Sequence, residues 1–310
     1  MRNIIIGSRQ SELAMIQANG VIDQLRQANI QNPIKIKEMT TKGDQNITVS
    51  LAKIGGNGVF TGDIEQALAD REIDFAVHSM KDLPPTLSPA FTIAAMPVRE
   101  DPRDAYLARD HVDLASLPSG AVIGTSSTRR AAQIRANRPD LETKWIRGTV
   151  GSRIEQLEAG DYDAIILAVA GLKRLGIAEG HITEYLPATT FVPAIGQGAL
   201  AIECRTDDTE LRKLLATIND EATVLAVETE RKLLERIEGG EQAPIGAYAY
   251  VDQGEITLYS TVSNLAGDEV IRDVTTGKDP SLVAQVAVDK LMSQGAGAII
   301  VAVNEELNKS

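Results

Sequence analysis

The sequence predicts an α/β protein of two lobes followed by a small C-terminal α+β domain. Three observations carry this. Short apolar runs alternate with helical segments through the first half of the chain. The alternation starts afresh near Arg103. After Thr209 it gives way to one long helical stretch, three alternating segments and a last helix. At 310 residues the chain is also too long for one typical domain.

In order, Asn3 to Ile6 reads as a short strand, and Ser11 as the N-cap of a helix with Leu13, Ile16, Ile22 and Leu25 on one face. Ile34 to Glu38 alternates with two lysines, the pattern of a strand with one polar face. Thr61 to Asp70 reads as helix, Asp74 to Val77 as a buried strand ending at the His78–Asp82 segment, and Pro84-Pro85 then stops regular structure. In the second run, Ala121 to Gly124 is a strand, and Ser126 or Ser127 caps the helix bearing Arg129 and Arg130. Thr143 to Ile146 is a strand, then a helix runs through Ile154 and Leu157. Tyr162 to Val169 is almost wholly apolar and is expected to be a central parallel strand. Ala199 to Glu203 is another strand. Glu221 to Ile237 is a long helix stopped by Gly239-Gly240. Segments 246–251, 255–262 and 269–274 and a helix from Pro280 to Met292 complete the last domain. Pieces near 98–102 and 193–199 are expected to link two lobes that face each other across a cleft.

Composition narrows the function. The net charge of -12 disfavours nucleic acid and anionic membranes as partners. Cys204 stands alone, so neither an intrachain disulfide nor a thiolate metal cluster is expected, and His78, His111 and His181 are too far apart to suggest a metal site. The N-terminal apolar run spans three residues, Ile4 to Ile6, and the longest, Ala164 to Gly171, is too short for a bilayer. A cytoplasmic location is the expectation.

Against this acidic background, basic residues gather at expected strand ends and first helical turns: Arg9, Lys53, Lys81, Arg129, Arg130, Arg147, Arg153 and Arg174. Guanidinium groups bind carboxylates through paired hydrogen bonds, and a helix N-terminus near Ser126-Ser127 adds backbone donors. A local anion-reading surface follows, although any one of these arginines reads equally well as a solvated helix face. Asp82 follows an apolar strand, where ligands of open α/β sheets gather. It reads either as a catalytic carboxylate or as a cap beside a Pro-Pro turn. Gly55-Gly56-Asn57-Gly58 reads as a glycine loop without the spacing of a phosphate-binding motif.

The strings His78-Ser79-Met80-Lys81-Asp82, Gly124-Thr125-Ser126-Ser127-Thr128-Arg129-Arg130 and Gly196-Gln197-Gly198-Ala199-Leu200 resemble those of the porphobilinogen deaminases (hydroxymethylbilane synthases). The similarity runs along nearly the whole chain. It implies a first lobe of residues 1–98 with 199–217, a second of 103–193, both shaped like type II solute-binding proteins, and a C-terminal domain of 220–310. It implies a monomeric transferase of tetrapyrrole biosynthesis that joins four porphobilinogen units head to tail and releases ammonia. Asp82 would stand near the pyrrole nitrogens and stabilise the azafulvenium-like cation left by ammonia, with Lys81 and Arg9 beside it. Ser11, Lys53, Ser126, Ser127, Arg129, Arg130, Arg147, Arg153, Arg174 and Gln197 would bind the carboxylates. Gly55, Gly56, Asn57 and Phe60 would form a mobile active-site loop, with Phe60 either stacking on a pyrrole or packing the loop.

The resemblance also implies a dipyrromethane cofactor, held by a thioether to a cysteine in a Gly-Gly-Cys loop. Here that position is Glu241, within Gly239-Gly240-Glu241-Gln242-Ala243-Pro244-Ile245. A carboxylate ester at a pyrrole methylene is a poor anchor, because the pyrrole nitrogen expels it again. Two readings stay open: an active deaminase that holds its primer otherwise, or an impaired member that binds porphobilinogen or bilane without turnover. A third, a two-lobed binding protein for another small dianion, is disfavoured by the missing secretion signal.

Overall fold

The computed structural model describes residues 2–41, 61–237 and 243–309. The chain forms two units, Met1–Glu100 with Gly198–Val224, and Asp101–Gln197 with Leu225–Ser310.

The first unit opens with β1 (Ile4–Arg9), α1 (Glu12–Gln27) and β2 (Ile34–Met39), continues through α2 (Gly62–Ala69) and β3 (Phe75–Ser79), and reaches β4 (Phe91–Ala95). Ser11 caps α1 as its position predicts, its Oγ accepting from the N–H of Ala14 at 3.3 Å. The buried face of α1 differs from the expected one. It runs through Ala14, Gln17, Ala18, Val21 and Leu25, while Leu13, Ile16 and Ile22 are half-buried. The small alanines turn toward the sheet and leave the bulkier residues at the flanks, which is why hydrophobicity alone misplaced the stripe.

The second unit begins at β5 (Asp104–Ala108) and β6 (Val122–Gly124), followed by α3 (Thr128–Asn137), β7 (Glu142–Lys144), α4 (Val150–Glu158), β8 (Ala164–Ala168), α5 (Val169–Arg174) and β9 (Glu184–Leu186). The chain then returns to the first unit as β10 (Leu200–Arg205) and α6 (Thr209–Leu215). A long helix, α7 (Glu221–Arg236), leads to β11 (Ile245–Asp252), β12 (Glu255–Ser263), β13 (Val270–Gly277), α8 (Pro280–Ser293) and α9 (Ala296–Lys309).

The three sheets run in the orders β2-β1-β3-β10-β4, β7-β6-β8-β5-β9 and β11-β12-β13. Two α/β sheets and a small three-stranded sheet backed by helices make the α/β architecture the sequence predicts. The expected direction of one strand is also corrected. β8 is central, but it is parallel only to β6 and antiparallel to β5. An apolar run reports burial on both faces and carries no information on neighbour direction. β10 is likewise antiparallel to both β3 and β4.

In the first unit, Ile4, Ile6, Val21, Leu25, Phe75, Val77 and Ile202 form a core between α1 and the sheet. In the C-terminal region, Ala247, Ala249, Leu258, Ile271, Val283, Leu291 and Ile300 bury one sheet face against the helices. Among the described residues no single helix is long and apolar enough to cross a membrane.

Candidate active site

β1 and β3 are parallel neighbours, with Gly7 opposite Ala76. Their carboxyl ends therefore share one edge of the first sheet, and these ends carry Arg9 and the turn Met80–Asp82. Lys81 and Asp82 are exposed there, and Arg9 is half-buried. The strand beneath them is held on both sheet faces. On one, Gln17 of α1 donates through Nε2 to Ser79 Oγ at 3.1 Å. On the other, His78 Nε2 lies 2.9 Å from Glu203 Oε2 of β10, and both side chains are buried. Among the described residues Glu203 Oε1 has no hydrogen-bond partner. The Met80 N–H donates to Ala199 O at 3.0 Å, and the Leu83 N–H closes the turn on Met80 O. So the exposed acid and lysine sit on a fixed base.

The second unit holds the arginines. Ser127 caps α3, its Oγ accepting from the Arg130 N–H at 3.3 Å, and Ser126 beside it is exposed. Arg147 is half-buried, its guanidinium 5.1 Å from the centre of the Trp145 ring. Thr149 caps α4, and Arg153 in the first turns of that helix donates from Nε to Gly148 O at 3.0 Å. Burial and the like charges of Arg130 and Arg147 push the Arg153 guanidinium down to about 10. Crowded cations of this kind are what a polyanion relieves. Arg174 ends α5 and is half-buried.

Three residues expected to read substrate carboxylates also have a partner inside the protein. Arg129, Arg130 and Gln197 are buried around a residue that the sequence reading missed, Asp104. Arg129 Nη2 donates to Asp104 Oδ2 at 2.8 Å, and Arg130 Nη2 to Oδ1 at 2.7 Å. Gln197 Nε2 donates to the same Oδ1 at 2.9 Å and to Pro102 O at 2.8 Å. Nη1 of Arg129 and of Arg130 reach the carbonyls of Val192 and Ile166. A fully buried carboxylate attracts every donor in reach, so these groups point inward. Two cations against one anion still leave one positive charge in excess. The glycines flanking Gln197, at φ 71° and 90°, supply the backbone turn that directs its amide inward. Lys53, Gly55, Gly56, Asn57, Phe60 and Glu241 lie outside the described residues.

Cys204 is buried on β10, and burial pushes its thiol up to about 11. It is therefore a core residue rather than a nucleophile.

Fold and site together define an α/β protein whose first unit carries an exposed acid and lysine on one sheet edge and whose second unit carries basic side chains at helix starts and ends. Residues 4–213 match the family domain described as porphobilinogen deaminase, dipyromethane cofactor binding domain, and residues 224–292 match the porphobilinogen deaminase C-terminal domain. The porphobilinogen deaminase of Oceanobacillus iheyensis is 51% identical over 309 residues, covering 100% of both chains. That of Halalkalibacterium halodurans is 49% identical over 308 residues, covering 99% of each. Among solved structures, a YaeC-family lipoprotein of Enterococcus faecalis gives a TM-score of 0.44 at 13% identity, covering 73% of this chain and 95% of that one. The chain belongs to the porphobilinogen deaminase family.

Proposed function

We propose that this protein is a hydroxymethylbilane synthase, a transferase that condenses four porphobilinogen units head to tail and releases ammonia. The observation that carries the reading is full-length identity of about half to porphobilinogen deaminases, together with Asp82 exposed on its braced turn. Asp82 accepts the pyrrole N–H and stabilises the positive charge that develops as ammonia leaves. Lys81 and Arg9 at the same sheet edge hold substrate carboxylates. Arg147, Arg153 and Arg174, with Ser126 and Ser127 at the α3 N-terminus, hold those of the growing chain. Arg129, Arg130 and Gln197 act at one remove, by fixing Asp104. We further assign domain boundaries of 1–98 with 199–217, 103–193 and 220–310, a cytoplasmic location and a monomeric state.

A dipyrromethane primer supplies the acceptor pyrrole to which the first unit is added. The crowded cations around Arg153 suit its acetate and propionate groups. The attachment position does not suit a thioether, because residue 241 is glutamate. That one residue favours a second reading, a protein that binds porphobilinogen with little turnover.

Ammonia release from porphobilinogen tests the assignment. Asp82→Asn is expected to abolish it while leaving the thermal unfolding midpoint unchanged. Ordinary turnover by that variant would remove Asp82 from the mechanism. Glu241→Cys is expected to raise the rate and to add the mass of two pyrrole units to the intact protein. If neither changes, primer anchorage is not the limiting feature.

A further inference from the structure

Aromatic residues make up only 4% of the chain, yet four of its six tyrosines, Tyr185, Tyr248, Tyr250 and Tyr259, meet at one place in the second unit. Tyr248 and Tyr250 stand two apart on β11 and share one face of the C-terminal sheet. Tyr259 of β12 is the cross-strand partner of Tyr248. Their ring centres lie 6.2, 6.4 and 6.5 Å apart. The opposite sheet face, through Ala247, Ala249 and Leu258, is buried against helices. The tyrosine face is thus left to do something other than close the core.

That face forms one wall of a cleft of about 370 Å³, and Asp101, Arg103, Tyr185 and Pro187 contribute to the other. The volume lies in the range of small-molecule sites. The two walls are joined where the Ala247 N–H donates to Pro193 O at 3.1 Å and the Glu230 carboxylate accepts from both Gly196 N and Ala249 N. The Arg103 guanidinium lies 4.4 Å over the Tyr185 ring. Its Nε and Nη2 donate to Asp101 at 2.9 and 2.6 Å, which leaves the Nη1 side of the fork for another anion. Lys173 Nζ approaches the same Asp101 at 3.8 Å. The Nη1 edge of Arg103 offers hydrogen-bond donors and no acceptor, so an ammonium ligand is disfavoured there and a flat anion is favoured.

We propose that this cleft binds a planar aromatic carboxylate, the size of one substituted five- or six-membered ring, stacked on Tyr248 and Tyr250 and ion-paired with Arg103. Stacking on tyrosine demands a flat ring, and a guanidinium edge reads a carboxylate. The cleft contains neither Asp82 nor the Arg147–Arg153 cluster, and the inference does not depend on the reaction proposed above.

Isothermal titration calorimetry of the full chain with pyrrole-2-carboxylate, benzoate and cyclohexanecarboxylate tests it. The two aromatic acids are expected to occupy a site that the non-aromatic acid of equal charge fills about tenfold more weakly. The Tyr248→Leu/Tyr250→Leu variant is expected to lose that site, and Tyr250→Phe to keep it. Thr189→Trp, at an exposed position on the rim, is expected to block the cleft without touching the tyrosine face, so a folding defect in the leucine variant leaves the test intact. Unchanged stoichiometry and affinity in both the leucine and the Thr189→Trp variants would overturn the proposal. So would equal binding of the cyclohexane acid.

Discussion

At Asp104, burial and charge pull in opposite directions. Burial pushes its carboxyl up, and the charges of Arg129 and Arg130, with hydrogen bonds from Arg130 and Gln197, hold it well below the usual carboxylate range instead. Arg129 is held below its usual value, mainly by its own burial, yet a guanidinium stays protonated at neutral pH. Asp104→Asn strands two buried cations and is expected to cost about 3–5 kcal/mol in urea unfolding. A loss below about 1 kcal/mol would show that the triad carries little stability. A depressed folded pKa stabilises at pH above the unfolded value and is lost as pH falls through the folded one. Wild-type stability should therefore decline below about pH 4, and the Asp104→Asn curve should be flatter there. Arg153 gives the opposite case, a cation whose charged form is disfavoured by burial, Arg130 and Arg147. A multivalent anion relieves that crowding, so citrate is expected to raise the melting temperature of the wild type by more than that of Arg153→Leu. Equal shifts in differential scanning calorimetry would place the anion elsewhere.

At the level of elements, what the sequence made legible was local. Ser11 and Ser127 both cap helices, because a cap depends on its own next three residues. The apolar run through β8 was readable as buried, but its antiparallel pairing with β5 was not, since partner direction is set by chain path. The positions of Asp82 and several of the basic residues at strand ends and helix starts were legible from the local pattern. Asp104 was not, because a lone acid at the head of Ala105–Ala108 looks like a strand boundary, and its partners lie 25 and 26 residues away. The tyrosine cluster was equally silent, since Tyr185 joins it from a distant strand. The docking of the last sheet is also a tertiary fact. Gly267, at φ 81° in the β12–β13 turn, leaves only 2.4 Å between a would-be Cβ and Ala132 O of α3, and Arg135 Nη1 donates to Leu265 O at 2.7 Å. Gly254, in the β11–β12 turn, has a similar φ of 79° and open space around it. Both alanine substitutions strain the backbone, and only Gly267→Ala also pushes the hairpin off α3. Gly267→Ala is expected to destabilise by about 1–3 kcal/mol more than Gly254→Ala in thermal unfolding. Equal losses would mean that the contact with α3 contributes nothing.

For the whole molecule, the order of the chain matters as much as its contacts. The first unit is not a continuous segment: its sheet is completed by β10, which arrives only after the second sheet has been made. β10 lies between β3 and β4 and supplies Leu200, Ile202 and Cys204 to the core around Phe75 and Val77. It also brings Glu203 to His78, and Arg205 Nη1 to the carbonyls of Leu68 and Ile73 at 2.8 and 2.7 Å. Without it, β3 and β4 lose their shared partner and the strand leading to Asp82 loses one of its two braces. The second sheet, by contrast, takes all its strands from residues 104–186. A fragment of residues 1–197 should therefore divide in its behaviour. Amide hydrogen exchange is expected to show protection lost at 75–79 and retained at 105–108 and 164–168. Supplying residues 198–310 in trans should restore protection at 75–79. Native protection of β3 in the fragment alone would mean that the first unit folds without its returning strand, and that Asp82 is positioned without help from Glu203.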